Sequence, residues 1–85
     1  MDKKFLDHYS NSLKKGDTVK LIGIPLELFL GRTEAEQNIL RAQIGNMHLI
    51  QDFNQHGKLK LEFYDKNDMP HTILISTSCV TRIFG

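Results

Sequence analysis

The chain has no tryptophan, two prolines and a single cysteine among its 85 residues. That one cysteine, Cys79, excludes an intramolecular disulfide and a multi-cysteine zinc site, and it fits a reducing compartment. An excess of one charge is missing too: eleven Lys and Arg stand against ten Asp and Glu, for a formal net charge of +1. A dedicated nucleic-acid binder normally carries a clear basic excess, so any anion-binding surface here has to be local. No apolar run approaches the ~18–20 residues of a membrane-crossing helix. The opening Met1-Asp2-Lys3-Lys4-Phe5-Leu6-Asp7-His8 carries positive charge with no apolar run after it, unlike a secretory signal. A cytoplasmic address is the expectation. No P-loop, dinucleotide fingerprint or HExxH motif occurs.

What is present is a globular composition, 40% hydrophobic and 25% charged. A chain of this mass buries roughly 64% of its unfolded surface. That supports one thin core, hence a single domain over residues 1–85, with little room for a deep internal active site. No enzyme activity and no cofactor are expected.

Residues 1–15 are read as an amino-terminal helix. Phe5, Leu6, Tyr9 and Leu13 fall along one side, Asp2 serves as N-cap, and Lys14, Lys15 and Gly16 form the last turn and exit. Gly16-Asp17 then opens a strand, Thr18 to Ile24, in which Gly23 hints at a bulge or close backbone approach, and Pro25 ends it. Residues 25–45 switch period. Pro25-Leu26-Glu27-Leu28-Phe29-Leu30-Gly31 suits one or two helical turns. Thr33-Glu34-Ala35-Glu36 matches a capping box and starts a second helix, with Ala35, Ile39 and Ala42 as its apolar line, Leu40 and Ile44 beside it, and Gly45 as its exit.

The remainder alternates with period two. Met47, Leu49 and Phe53 are assigned to one face of a strand, with Gln51 a polar exception, and His48 and Ile50 to the other. Asn54-Gln55-His56-Gly57 is a hairpin loop. In the next strand Leu59, Leu61 and Phe63 point inward while Lys58, Lys60, Glu62 and Tyr64 point outward. A polar loop from Asp65 to Pro70 leads to a β-branched strand, His71 to Ser76. Thr77-Ser78-Cys79-Val80 suits a 3₁₀ turn, and Thr81-Arg82-Ile83-Phe84 a last short strand.

Gly16-Asp17-Thr18-Val19-Lys20-Leu21, Gly45 before the second strand, Gly57-Lys58-Leu59-Lys60-Leu61-Glu62-Phe63 and Ser76-Thr77-Ser78-Cys79-Val80-Thr81-Arg82-Ile83 occur in the order found in SH3-like barrels. Residues 16–85 thus resemble a five-stranded antiparallel SH3-like barrel, of the kind seen in KOW-type modules, the nitrile hydratase beta subunit and a small photosystem I subunit. A helical insert lies between the first two strands, and the expected class is mainly β with helices, α+β. The resemblance implies binding of protein or nucleic acid rather than catalysis. The chain departs from signalling SH3 domains, which hold proline-rich segments on an aromatic groove. It has no Trp, and its aromatics outside the expected core reduce to Tyr64, Tyr9 and Phe29.

Candidate sites follow from these placements. Pro25, Leu26, Leu28, Phe29 and Leu30 crowd apolar side chains into a short insert with one buried side. Leu26, Phe29 and Leu30 suit a lid on the barrel, leaving Leu28 near the surface. Read functionally, the same window is a patch for docking another protein, with the hairpin face of His48, Ile50, Lys58, Lys60, Glu62 and Tyr64 as its polar rim. The chain is therefore expected to be a non-catalytic binding module, namely an adaptor, an assembly subunit or an immunity-type inhibitor. The alternative is a KOW-like nucleic-acid binder using Lys58, Lys60, Tyr64 and Arg41. His8, His48, His56 and His71 make no metal-ligand spacing, and Cys79 reads as a packed thiol rather than a nucleophile. Glu34 and Glu36 serve the helix start. The last strand, ending in Arg82-Ile83-Phe84-Gly85, is expected to close onto the first strand; left unpaired, it would be an open edge for a partner or a second copy.

Overall fold

The computed structural model describes residues 5–84. Two antiparallel sheets and one α-helix make up its regular structure. Phe5–Leu6 (β1) pairs with Ser12–Leu13 (β2) in a two-stranded sheet. Thr18–Leu21 (β3), Met47–Phe53 (β4), Leu59–Tyr64 (β5), Pro70–Ile75 (β6) and Val80–Arg82 (β7) form the second, in the order β6-β5-β4-β3-β7. Between β3 and β4 lie a 3₁₀ turn, Leu26–Leu28, and the helix Glu34–Arg41 (α1). A second 3₁₀ turn, Thr77–Cys79, falls where the sequence places it. The class is α+β, mainly β. No helix among the described residues is long and apolar enough to cross a membrane.

The barrel expected from the sequence does not close. The strands at the two ends of the order, β6 and β7, are joined by no ladder among the described residues, so the five strands make an open sheet. Its inner face carries Val19, Leu21, Ile50, Leu59, Leu61 and Ile75, all essentially out of water, with Leu40 of α1 packed among them. Each such side chain contributes about 1.5–3 kcal/mol on burial.

The amino-terminal helix is replaced by the β1–β2 hairpin, and its assigned N-cap, Asp2, lies outside the described residues. Phe5 and Leu13, eight apart, become cross-strand partners rather than neighbours on a helix face. The reason is local. Asp7, Ser10 and Asn11 are residues whose short polar side chains favour turns over helix interiors. Here Asp7 accepts the backbone N–H of Tyr9 at 2.9 Å and of Asn11 at 2.8 Å, closing the loop. A three-turn helix is marginal alone, whereas the hairpin stacks Phe5 on Phe53 with ring centroids 4.0 Å apart.

The faces of β4 are also the reverse of those assigned. Ile50 is buried opposite Leu61, and His48 turns inward toward Phe63, at 5.9 Å between rings. Met47 and Leu49 stand outside, 63% and 55% exposed, beside Lys20 and Thr18. Phe53 nevertheless faces inward opposite Leu59, because the ladder steps from Ile50↔Leu61 to Asp52↔Lys60. Gln51 is the extra residue of a β-bulge, and the bulge restores the phase.

The capping box forms as read. Thr33 Oγ1 accepts the N–H of Glu36 at 3.2 Å, and Glu36 Oε1 accepts the N–H of Thr33 at 3.4 Å. The helix stops at Arg41, and turns carry the chain to Gly45, whose φ of 91° takes the left-handed exit. Its buried residue is Leu40, while Ala35, Ala42 and Ile44 are exposed. A leucine buries far more apolar area than an alanine, so Leu40 sets the docking side. Gly23 lies past the end of β3, and an added Cβ there would meet nothing within 4 Å, so no close backbone approach calls for it.

Candidate functional site

The insert carries an apolar surface on a backbone fixed by several bonds. Pro25, with φ near −61°, sets the chain into the 3₁₀ turn, whose bonds run from Leu28 N–H to Pro25 at 3.0 Å and from Phe29 N–H to Leu26 at 2.9 Å. Leu28 and Phe29 pack against the core. One side chain within the loop and two from α1 then fix it. Arg32 Nε donates to the Leu28 carbonyl at 2.6 Å, and Gln37 Nε2 to the carbonyls of Phe29 and Arg32 at 3.2 and 3.1 Å. The Arg41 guanidinium sits 5.0 Å over the Phe29 ring. Leu26 and Leu30, flanking this anchor, are left 76% and 72% exposed.

This inverts part of the lid expected from the sequence: Leu28 goes inward, and Leu26 and Leu30 point out. A six-residue segment whose 3₁₀ turn buries one side cannot hide all of its apolar side chains, and backbone order decides which two remain in water. Glu27, between them in sequence, forms an ion pair with Lys58 Nζ at 3.6 Å, which joins the insert to the β4–β5 hairpin.

The other predicted residues separate. Lys60 and Tyr64 are exposed on the outer face of β5, on the side away from Leu59, Leu61 and Phe63. His48 faces inward, so it is no part of the outer rim. Among the described residues its buried Nε2 finds no hydrogen-bond partner, and burial pushes its imidazole below the ordinary range. Lys58 thus joins the Leu26–Leu30 segment, whereas Lys60 does not and Tyr64 borders α1 instead. Arg41, needed by the nucleic-acid alternative, is engaged with Asn38 Oδ1 at 3.0 Å, Gln37 Oε1 at 3.2 Å and Phe29.

Two hollows adjoin these surfaces. An open one of about 660 Å³ is lined by Leu26, Ile24, Ile22, His8, Ser78 and Cys79. The second, about 510 Å³, lies between Ala35, Ile39 and Ala42 of α1 and the loop from Tyr64 to Asn67. The apolar line read from the helix therefore exists: Ala35 and Ala42 border this hollow, while Ile39 borders it and also packs against the core. The exposed Met47 and Leu49 were missed by the sequence reading. Ile50 and Gln51, where the alternation breaks on both faces, are the signal that could have found them.

The titratable groups have structural explanations. Burial raises the Asp7 carboxyl, but hydrogen bonds from the backbone of Arg82, Asn11 and Tyr9 and the side chain of Asn11 outweigh it and hold it below its ordinary value. Asp65 is lowered by its hydrogen bond with His71, Nε2 to Oδ2 at 2.9 Å, and by the N–H groups of Met69 and Asn67. Burial pushes the Cys79 thiol up, Glu27 adds to this and a hydrogen bond with Ser78 opposes it. The net rise disfavours the thiolate a nucleophile requires. His8 Nδ1 lies 3.2 Å from the Ser78 carbonyl, a contact it makes as donor. Among the described residues no three His, Cys, Asp or Glu side chains converge as metal ligands do. No protein-family model, curated protein or solved structure matches the chain.

Proposed function

We propose that this chain is a non-catalytic binding module that docks another protein on the insert, with Leu26 and Leu30 as its apolar contacts and the Glu27–Lys58 pair at their edge. The observation that carries the reading is the pairing of high exposure with fixed backbone. Two leucines held in water by a loop anchored through Leu28, Phe29, Arg32 and Gln37 lose little conformational freedom on contact, which is how preorganisation favours affinity. The strand order, with β3 between β4 and β7, and the 3₁₀ turn before β7 support an SH3-like architecture that has opened at one seam. An adaptor, an assembly subunit and an immunity-type inhibitor all use such a surface.

The test compares wild type with Leu26→Asp/Leu30→Asp as bait in lysate of the source cells, after circular dichroism shows both folded. Both residues are exposed, so the double variant leaves the core intact. A discrete protein held by wild type and lost by the variant supports the reading, while equal retention of every partner overturns it. For the nucleic-acid alternative, Lys58 and Arg41 are already engaged. Titration with single-stranded and duplex oligonucleotides at low salt is expected to show no salt-dependent binding; tight binding that weakens with salt would replace the protein-docking reading.

A further inference from the structure

The two edges of the five-stranded sheet are treated differently. At β7 two outward backbone groups are taken: the Val80 carbonyl accepts the N–H of His8 at 2.9 Å, and the Arg82 N–H donates to Asp7 Oδ2 at 2.6 Å. The β1–β2 hairpin thus caps the edge that the sequence offered for pairing with a second copy. The other edge, β6, has no such cover among the described residues.

Which groups β6 leaves outward follows from the ladder. Ile50 donates to the Asp17 carbonyl at 2.9 Å and accepts from the Gly16 N–H at 3.0 Å, so its backbone groups point toward β3. Its partner Leu61 must then point toward β6, and Ile73, opposite Leu61, points back toward β5. The bond from Asp65 N–H to the Met69 carbonyl, 3.1 Å, has the same phase. Alternation therefore turns the N–H and C=O of Thr72 and Leu74 to the open edge. Pro70 shares that phase, so its missing N–H falls on the unpaired side, where an edge strand tolerates proline.

We infer that β6 pairs antiparallel with β6 of a second copy of this chain, about a two-fold axis through Ile73. The pattern is its own complement. Thr72 of one copy meets Leu74 of the other, each pair exchanging two N–H···O=C bonds, and the second pair repeats this across the axis. No Lys, Arg, Asp or Glu lies between Pro70 and Ser76, so the edge lacks the charges that usually guard against such pairing. Like charges do not meet at the axis either. Leu74, 41% exposed, gains the Thr72 methyl group of the partner as cover. The product is one continuous ten-stranded sheet whose far ends are the capped β7 edges.

Sedimentation velocity from micromolar to millimolar chain tests this, with 9.8 kDa as the single-copy mass. The expected result is a rise toward twice that mass, lost in Leu74→Lys and in Thr72→Lys. Both positions face solvent, so at least one variant is expected to stay folded by circular dichroism. Leu26→Asp/Leu30→Asp should dimerise normally, which separates this inference from the docking proposal. The register is read by mixing Thr72→Cys and Leu74→Cys chains in a Cys79→Ser background, where oxidation should link one of each. A chain monomeric throughout, a dimer indifferent to the folded lysine variants, or absence of the mixed disulfide would each overturn it.

Discussion

The carboxylate of Asp7 accepts the backbone N–H of Arg82 at 2.6 Å, joining residues 75 apart in sequence. The same side chain accepts from Tyr9 and Asn11, and the residue is only 5% exposed. One acidic side chain thus closes the amino-terminal loop and caps the edge of β7. Asp7→Ala leaves part-buried N–H donors without their acceptor and should lower unfolding free energy by about 1–3 kcal/mol. Urea titration checks this, with a shifted midpoint at unchanged slope.

Asp7 also sets part of the acid response. Its folded-state pKa lies below the ordinary 3.8, so the unfolded chain takes up the proton first. The stabilisation is present above about pH 4 and lost as pH falls through the folded value. Acid titration of Asp7→Ala should therefore show a shallower loss of stability below pH 4 than wild type. An identical slope would remove Asp7 from the account.

His48 acts in the same direction at higher pH. Burial holds its folded pKa below 6.5, so protonation favours the unfolded chain once pH drops under that value. Stability should fall between pH 7 and 5 by an amount that His48→Phe abolishes. The substitution also replaces the unpartnered Nε2 with carbon beside Phe63 and should raise stability at pH 7 by about 1 kcal/mol.

The bulge predicts an asymmetry between deletions. Removing Gln51 leaves Ile50 opposite Leu61, Asp52 opposite Lys60 and Phe53 opposite Leu59, a regular ladder with the same residues buried. Removing Leu49 instead turns His48 outward and Met47 inward. Thermal melts should find the Gln51 deletion folded and the Leu49 deletion destabilised by about 3 kcal/mol or more. Equal damage from both would contradict the assigned register.

The capping box was legible because it is a local device: Thr33 and Glu36 meet wherever the helix sits. Thr33→Ala should cost about 1 kcal/mol. The period-two reading of Leu59, Leu61 and Phe63 succeeded for the same reason, since an unbroken strand keeps its phase. Residues 5–13 failed because apolar positions one, four and eight apart fit a helix face, while the turn closed by Asp7, Ser10 and Asn11 is rewarded by a partner far along the chain, Phe53, on which Phe5 stacks. The faces of β4 failed because one inserted residue reverses parity, and Phe53 was used to set the phase from the wrong side of Gln51. At the site, the crowding of apolar residues from Leu26 to Leu30 was visible in the letters. Which of them stay in water depends on Arg32, Gln37 and Arg41 reaching back from later in the chain.

Photo-crosslinking places the docking surface most directly. A photoreactive amino acid at position 26 or 30, and separately at position 60 on the outer sheet face, is irradiated in cells and the adducts are identified by mass spectrometry. Positions 26 and 30 should capture the same second polypeptide while position 60 does not. Capture of that polypeptide only from position 60, or of no polypeptide from 26 and 30, would contradict the account.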